Sequence, residues 1–206
     1  MRITGLIALL FFSVSALAQT PDWSGAVYRI GYKYPGYVVQ NSGDTLSGYL
    51  LHGSNGGNQK RCEFFTNETD SKPTKVYKPD ELKEYLVGDK HYKSIHYSGG
   101  LTAKPLMFVL VVKEGAITEF YWYNEEPGVR PPDQKYDIVY HKIHQPESKV
   151  VGNDKFIFGF GKNMSEFIAD YPELAEKVKN KEKGYNLLDI NKIMDEYNAW
   201  YAAKTN

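Results

Sequence analysis

Seven consecutive apolar residues, Leu106 to Val112, set the strongest constraint on this chain. Side chains along a strand alternate between two faces. An unbroken apolar run therefore needs cover on both faces, as in a central strand. Glu114-Gly115 reads as a two-residue turn whose glycine permits a positive φ. It folds residues 105–113 back on 116–123, setting Val111 opposite Thr118, Val109 opposite Phe120 and Met107 opposite Trp122. Those six share the expected main core face. The other face carries Leu106, Phe108, Leu110 and Val112 beside Ile117, Glu119, Tyr121 and Tyr123. A sheet built on such a strand closes into a barrel or sandwich, or takes a helical lid.

Strand-like text surrounds this hairpin from Gly36 to about residue 160. Two apolar runs flank the turn residues Asn41 to Asp44 and predict a first hairpin over Gly36–Leu51. His52 to Asn58 reads as an exposed Gly-rich loop. Strands are expected at Arg61–Thr66, Thr74–Tyr77, His91–Tyr97, Tyr136–His144 and Lys155–Phe160, with a polar loop over Asn67–Pro73. Pro79 to Leu86 reads either as one or two helical turns, since Leu82, Tyr85 and Leu86 share a helical face, or as an extended connector. The Pro-rich stretch Asn124 to Lys135 is a long loop. Beyond residue 160 the periodicity turns helical. Asn163 and Glu166 resemble a capping box, and Pro172 sits in a first turn. Asn186 and Asp189 open a last helix striped by Ile190, Ile193, Met194, Tyr197, Trp200 and Tyr201. The expected fold is α+β: an antiparallel β-rich domain, barrel or sandwich-like, over 36–160, with two to three C-terminal helices in 161–206 packed on it.

The first 18 residues read as a cleaved signal peptide, followed by an extended segment over 19–35. Arg2 forms the basic end, Leu6 to Phe12 lie within a short apolar run, and Ala16 and Ala18 match the cleavage pattern. That run falls short of the roughly 20 apolar residues that span a bilayer, and no later segment is long enough either. Removing 18 of the 206 residues leaves 188. The 25 basic and 25 acidic residues cancel, so no basic excess draws nucleic acid. The single cysteine, Cys62, excludes an intramolecular disulfide, and its alternating surroundings make it a buried small hydrophobe. The surplus of 17 Tyr, 10 Phe and 3 Trp suits tyrosine-faced sheets, or a surface that stacks on sugars or peptides.

Motifs for chemistry are sparse. His91 with His96 and His141 with His144 stand at odd spacings in strand text, which point to opposite faces and oppose a shared metal. The chain has no nucleophile elbow. Glu125-Glu126 and Asp80-Glu81 are adjacent loop acids, and Phe158 to Lys162 lacks the phosphate-loop spacing. No catalytic residue, metal ligand or cofactor motif emerges. Asn67-Glu68-Thr69 and Asn163-Met164-Ser165 match the glycosylation pattern, which bears only on a eukaryotic host. In the run Phe120 to Tyr123, alternation buries Phe120 and Trp122 and leaves Tyr121 and Tyr123 as the ligand-binding candidates.

The segment Gly36-Tyr37-Val38-Val39 through Ser42-Gly43-Asp44-Thr45-Leu46-Ser47-Gly48-Tyr49, together with Tyr77 to Leu82, resembles exported β-rich proteins common in Bacteroidetes. In those a hairpin of this pattern follows the leader. Tyr171 to Leu174, Asp189-Ile190 and Glu196-Tyr197-Asn198 are similar to their helical tail. The resemblance implies an envelope location, periplasmic or extracellular, and brings no catalytic residue with it. The expected function is a non-enzymatic binding or assembly module of the bacterial cell envelope, with a glycan or peptide as partner. The alternative is a hydrolase of envelope or extracellular polymers, resting on the four histidines and the loop acids. Intact-mass measurement after secretion from a bacterial host should find a chain beginning at Gln19; retention of Met1 would refute the leader.

Overall fold

The computed structural model describes residues 28–97, 105–124, 135–146 and 148–205. The expected leader and most of the Pro-rich loop, with Glu125 and Glu126, lie outside them. Among the described residues, ten antiparallel strands form one sheet in the order β10-β9-β8-β7-β6-β5-β1-β2-β3-β4. The α+β class therefore stands, with helices mostly at the C-terminal end.

β1 (Tyr32–Gln40) and β2 (Thr45–His52) make the expected first hairpin. β1 starts inside the segment read as an extended lead-in. Gly36 of the hairpin motif is required by close approach: a Cβ there would stand 1.8 Å from the Leu86 carbonyl oxygen of the next strand. The stretch read as a Gly-rich loop instead holds a short helix, α1 (Asn55–Lys60), capped by Ser54, which accepts from the Gly57 N–H. Tertiary bonds outweigh the low helix propensity of its glycines. Asn58 donates to the Tyr92 hydroxyl (3.1 Å) and accepts from Gly53 N–H (2.8 Å), while the Tyr85 hydroxyl donates to its carbonyl (2.8 Å).

β3 (Cys62–Phe65) and β4 (Lys75–Tyr77) fall where expected, and Cys62 is buried. Within Pro79–Leu86, read as helical turns or an extended connector, the chain is extended and forms β5 (Leu82–Val87). A register shift against β1 pairs Gln40 with Leu82 and Val39 with Glu84. That bulge buries Leu82 and Tyr85 three residues apart, which imitates a helical period in the sequence. β6 (Lys90–His96), β7 (Leu106–Lys113), β8 (Ile117–Tyr123) and β9 (Tyr136–Lys142) follow as a meander. Val150 leads into a two-residue β10 (Val151–Gly152). Residues 155–160, expected as the last strand, belong to a helical turn α2 (Asp154–Ile157) and the start of α3 (Phe160–Phe167). Phe156 of α2 and Phe160 of α3 are both buried, on either side of extended Phe158 and left-handed Gly159. Asn163 lies inside α3 and caps nothing at its start; its amide donates to the carbonyls of Lys155 and Phe158, each at 2.8 Å. α4 (Pro172–Lys179) has proline at its first position as expected, and a capping box of Asn186 and Asp189 leads into α5 (Ile190–Thr205).

The two-faced β7 is covered on both sides, and the core splits accordingly. On the inner face, β1–β7 roll around Val38, Leu50, Phe64, Tyr85, Tyr92 and Phe108, with α1 against them. Further along that face, Ile117 and Tyr140 pack on Ile193, Met194 and Tyr197 of α5 and on α2–α4. The outer face carries Ile95, Val109, Phe120, Val139 and Val150, with Met107, Val111 and Trp122. Five of the six residues expected as the main core thus lie in one of three clusters among the described residues, and Thr118 is buried without belonging to it. No helix among the described residues is long and apolar enough to cross a membrane.

The β7–β8 turn differs from the expectation. It spans Glu114 to Ala116, and the strands pair Leu110 with Tyr121, Val111 with Phe120 and, after a bulge, Lys113 with Glu119. Ahead of the bulge the register is displaced by two, which keeps every side chain on its expected face. Gly115 takes no positive φ. Its smallness admits α5, since a Cβ would lie 2.5 Å from the Asn198 amide nitrogen. The ladder with β7 leaves Ile117 and Tyr123 without strand partners on that side. Asn198 accepts from the Ile117 N–H (2.7 Å) and donates to its C=O (3.0 Å). Gln59 of α1 treats Tyr123 in the same way, accepting at 2.6 Å and donating at 3.0 Å.

Asn198→Ala should destabilise the protein by roughly 2–3 kcal/mol, the cost of orphaning buried N–H and C=O groups. Helix propensity alone would give the opposite sign, because alanine is the better helix former. Urea unfolding of the two proteins distinguishes these outcomes.

Candidate functional site

α1 and α5 dock at opposite ends of β8, and the inner face between them is only partly covered. Tyr121 and Tyr123 lie there, as their alternation required, both half-buried. β9 adds Tyr136, opposite Tyr123 in the ladder and 44% exposed. The Tyr121 and Tyr136 rings stack with centroids 4.0 Å apart and planes 20° apart. Tyr123 meets Tyr121 at 6.5 Å and 84°, and Tyr136 at 5.8 Å and 63°. The three rings form an angled platform. Burial and a hydrogen bond between the Tyr121 and Tyr136 hydroxyls push the Tyr121 phenol up to about 12, so its hydroxyl stays neutral over the working pH range.

Glu119 lies next along the same face, between Tyr121 and α5. It stands opposite Tyr140 on β9 and opposite Lys113 on β7. Lys113 is ion-paired with Asp195 of α5. Glu119 has no hydrogen bond or ion pair of its own among the described residues, and loss of solvent raises its carboxyl above its ordinary value. The Tyr140 hydroxyl is buried without a hydrogen-bond partner among the described residues. Its phenol is raised first by burial, then by Glu119 and Tyr121. Spare hydrogen-bonding capacity therefore collects beside the aromatic platform.

The histidines are dispersed. His91 approaches Glu84 at 3.3 Å on the outer face. His96 ends β6 opposite Leu106. The His141 ring contacts the Gln145 carbonyl at 3.0 Å, and His144 meets the Tyr201 hydroxyl at 2.8 Å. Among the described residues, no group of three or more His, Cys, Asp or Glu side chains is placed to hold a metal. Glu81 of the loop acids is structural: it accepts from the Lys78 N–H and pairs with Lys75, and these hold its carboxyl below the ordinary value. Burial pushes the Cys62 thiol up, away from reactivity. A cleft of about 520 Å³ beside α3 is rimmed by Lys142, Lys149, Lys155 and Glu166. Its Lys142 is spent on Asp170 and the Phe167 carbonyl.

Sequence reasoning found two of the platform tyrosines and missed Tyr136, whose membership depends on the β8–β9 register. Glu119 was placed on the correct face, but nothing local marks its lack of an ion pair, which depends on Lys113 being bound by Asp195. Comparison with protein families, curated proteins and solved structures finds no match to this chain.

The raised Glu119 carboxyl has a stability consequence. The folded state holds the proton more tightly than the unfolded chain, so this group's contribution falls as pH rises through the carboxylate range and stays unfavourable above it. Glu119→Gln should therefore unfold at a higher temperature than the parent at pH 7, with the difference shrinking toward pH 4. An equal or lower melting temperature at pH 7 would show that Glu119 is compensated.

Proposed function

We propose that this chain is an exported, non-catalytic module of the bacterial cell envelope that binds a carbohydrate on the Tyr121–Tyr123–Tyr136 platform. One observation carries the reading: three aromatic rings, two of them stacked, on a partly exposed strip of sheet between two docked helices. Aromatic faces take the apolar C–H faces of sugar rings, and their phenol hydroxyls stay available to polar rims. The leader pattern and the resemblance to exported proteins support the envelope location. Each platform ring contributes through preset geometry, since Tyr121 and Tyr136 already hold one another in place.

Titration calorimetry against neutral oligosaccharides tests this. At about 1 kcal/mol for each aromatic contact, Tyr136→Ala should weaken binding about fivefold, and Tyr121→Ala with Tyr136→Ala about thirtyfold. Circular dichroism should be unchanged. Binding that survives both substitutions, or binding of peptides in place of sugars, overturns the reading.

A further inference from the structure

We infer that the strip selects an aminated sugar, one carrying a free protonated amine, with Glu119 as the residue that takes the ammonium group. This rests on the carbohydrate reading above and adds a ligand class to it. Alternate residues of a strand share one face, so Tyr123, Tyr121 and Glu119 follow in a row from α1 toward α5. A sugar ring lying on the tyrosines would bring its next substituents, or its next ring, to the Glu119 carboxylate.

The charge arrangement decides the kind of substituent. The charged groups that bear on Glu119 are Lys113 of β7 and Asp195 of α5. Lys113 favours the carboxylate and Asp195 opposes it, and the Lys113 ammonium is ion-paired with Asp195 rather than with Glu119. Lys142, at the far end of β9, is tied to Asp170. Among the described residues, the strip therefore carries one carboxylate with no ion pair or hydrogen bond of its own, beside the negative π faces of three tyrosines. Both features favour a cation: the carboxylate by charge-assisted hydrogen bonding, the rings by cation–π attraction. A neutral hydroxyl would satisfy a lone pair but leave the charge unmatched. An N-acetyl group would bring bulk and no charge. The Tyr140 hydroxyl, buried and unpartnered opposite Glu119, removes no acceptor capacity from it.

The experiment compares three oligosaccharides of equal length, built from glucosamine, N-acetylglucosamine and glucose, by calorimetry at about pH 6.5, below the roughly 7.7–8 of an α-amine. The glucosamine oligomer should bind about tenfold more tightly than the other two, as expected for a half-buried charge-assisted contact. That margin should narrow as salt is added. Glu119→Gln should reduce the glucosamine affinity to the level of the neutral oligomers. Tyr140→Phe, which keeps the packed ring, should preserve the glucosamine preference. Equal affinity for all three in the parent protein, or a preference that survives Glu119→Gln, overturns the inference while leaving the platform intact. Binding of none of the three overturns both readings. A lysine-rich peptide that outcompetes the glucosamine oligomer would transfer the cation site to a protein partner and overturn the sugar assignment.

Discussion

A strand whose neighbour stops short leaves peptide N–H and C=O groups facing nothing, and β8 has this problem at both ends. β7 pairs with its middle, from Glu119 to Tyr121, and no further. Ile117 and Tyr123 would each leave a donor and an acceptor unmatched, at a cost of about 1–3 kcal/mol for each buried group. A primary amide side chain carries the same donor and acceptor as a peptide unit. Asn198 and Gln59 therefore complete the ladder as single-residue stand-ins for a strand. Each belongs to a helix, so each repair also docks that helix. Apolar burial then secures the docking: Ile193, Met194 and Tyr197 of α5 are packed away completely or nearly so, while Asn58 of α1 is bonded into the Tyr85–Tyr92 pair.

The width of the strip follows from this. From Ile117 to Tyr123 the strand advances about 20 Å, at about 3.3 Å per residue. Helices with side chains are about 10 Å across. Two helices anchored at those ends leave a gap roughly 10 Å wide, the scale of a single chain of sugar rings. Tyr121 and Glu119 lie in that gap, with Tyr123 and Tyr136 at its α1 border. The same two amides that satisfy the backbone thus determine how much of the sheet remains open.

Alternation along Leu106–Tyr123 made the faces of the central hairpin legible, and a register displaced by two preserved them. The stripe from Ile190 to Tyr201 announced α5 for the same reason: burial follows the period of the element. The failures occur where tertiary contacts replace local signals. Asn55–Lys60 contains two glycines and reads as a loop, yet folds as a helix because Ser54 caps its start and Asn58 and Gln59 find partners far along the chain. Leu82 and Tyr85 read as helical because a bulge mimics the helical spacing. Tyr136 joins the platform only through its pairing with Tyr123, and the exposure of Glu119 to an unmatched field depends on Lys113 being drawn to Asp195. Neither fact has a signature within ten residues of sequence.

An open strip also bounds how tightly one ligand ring can be held. Covering about 200 Å² of apolar ring surface yields about 5 kcal/mol at about 25 cal/mol per Å². Association costs about 4 kcal/mol or more, so one sugar on the tyrosines alone binds no better than the millimolar range. Affinity sufficient for a function must come from a second contact on the same strip or from repetition. Glu119 is positioned to supply the first, since among the described residues it has no hydrogen bond or ion pair of its own and a ligand that brings a cation would supply one. A polymer supplies the second, because each repeat that dissociates leaves neighbours at high effective concentration. A flat, preset platform beside one unmatched carboxylate thus suits retention on a polymeric, charged ligand better than capture of a single small molecule.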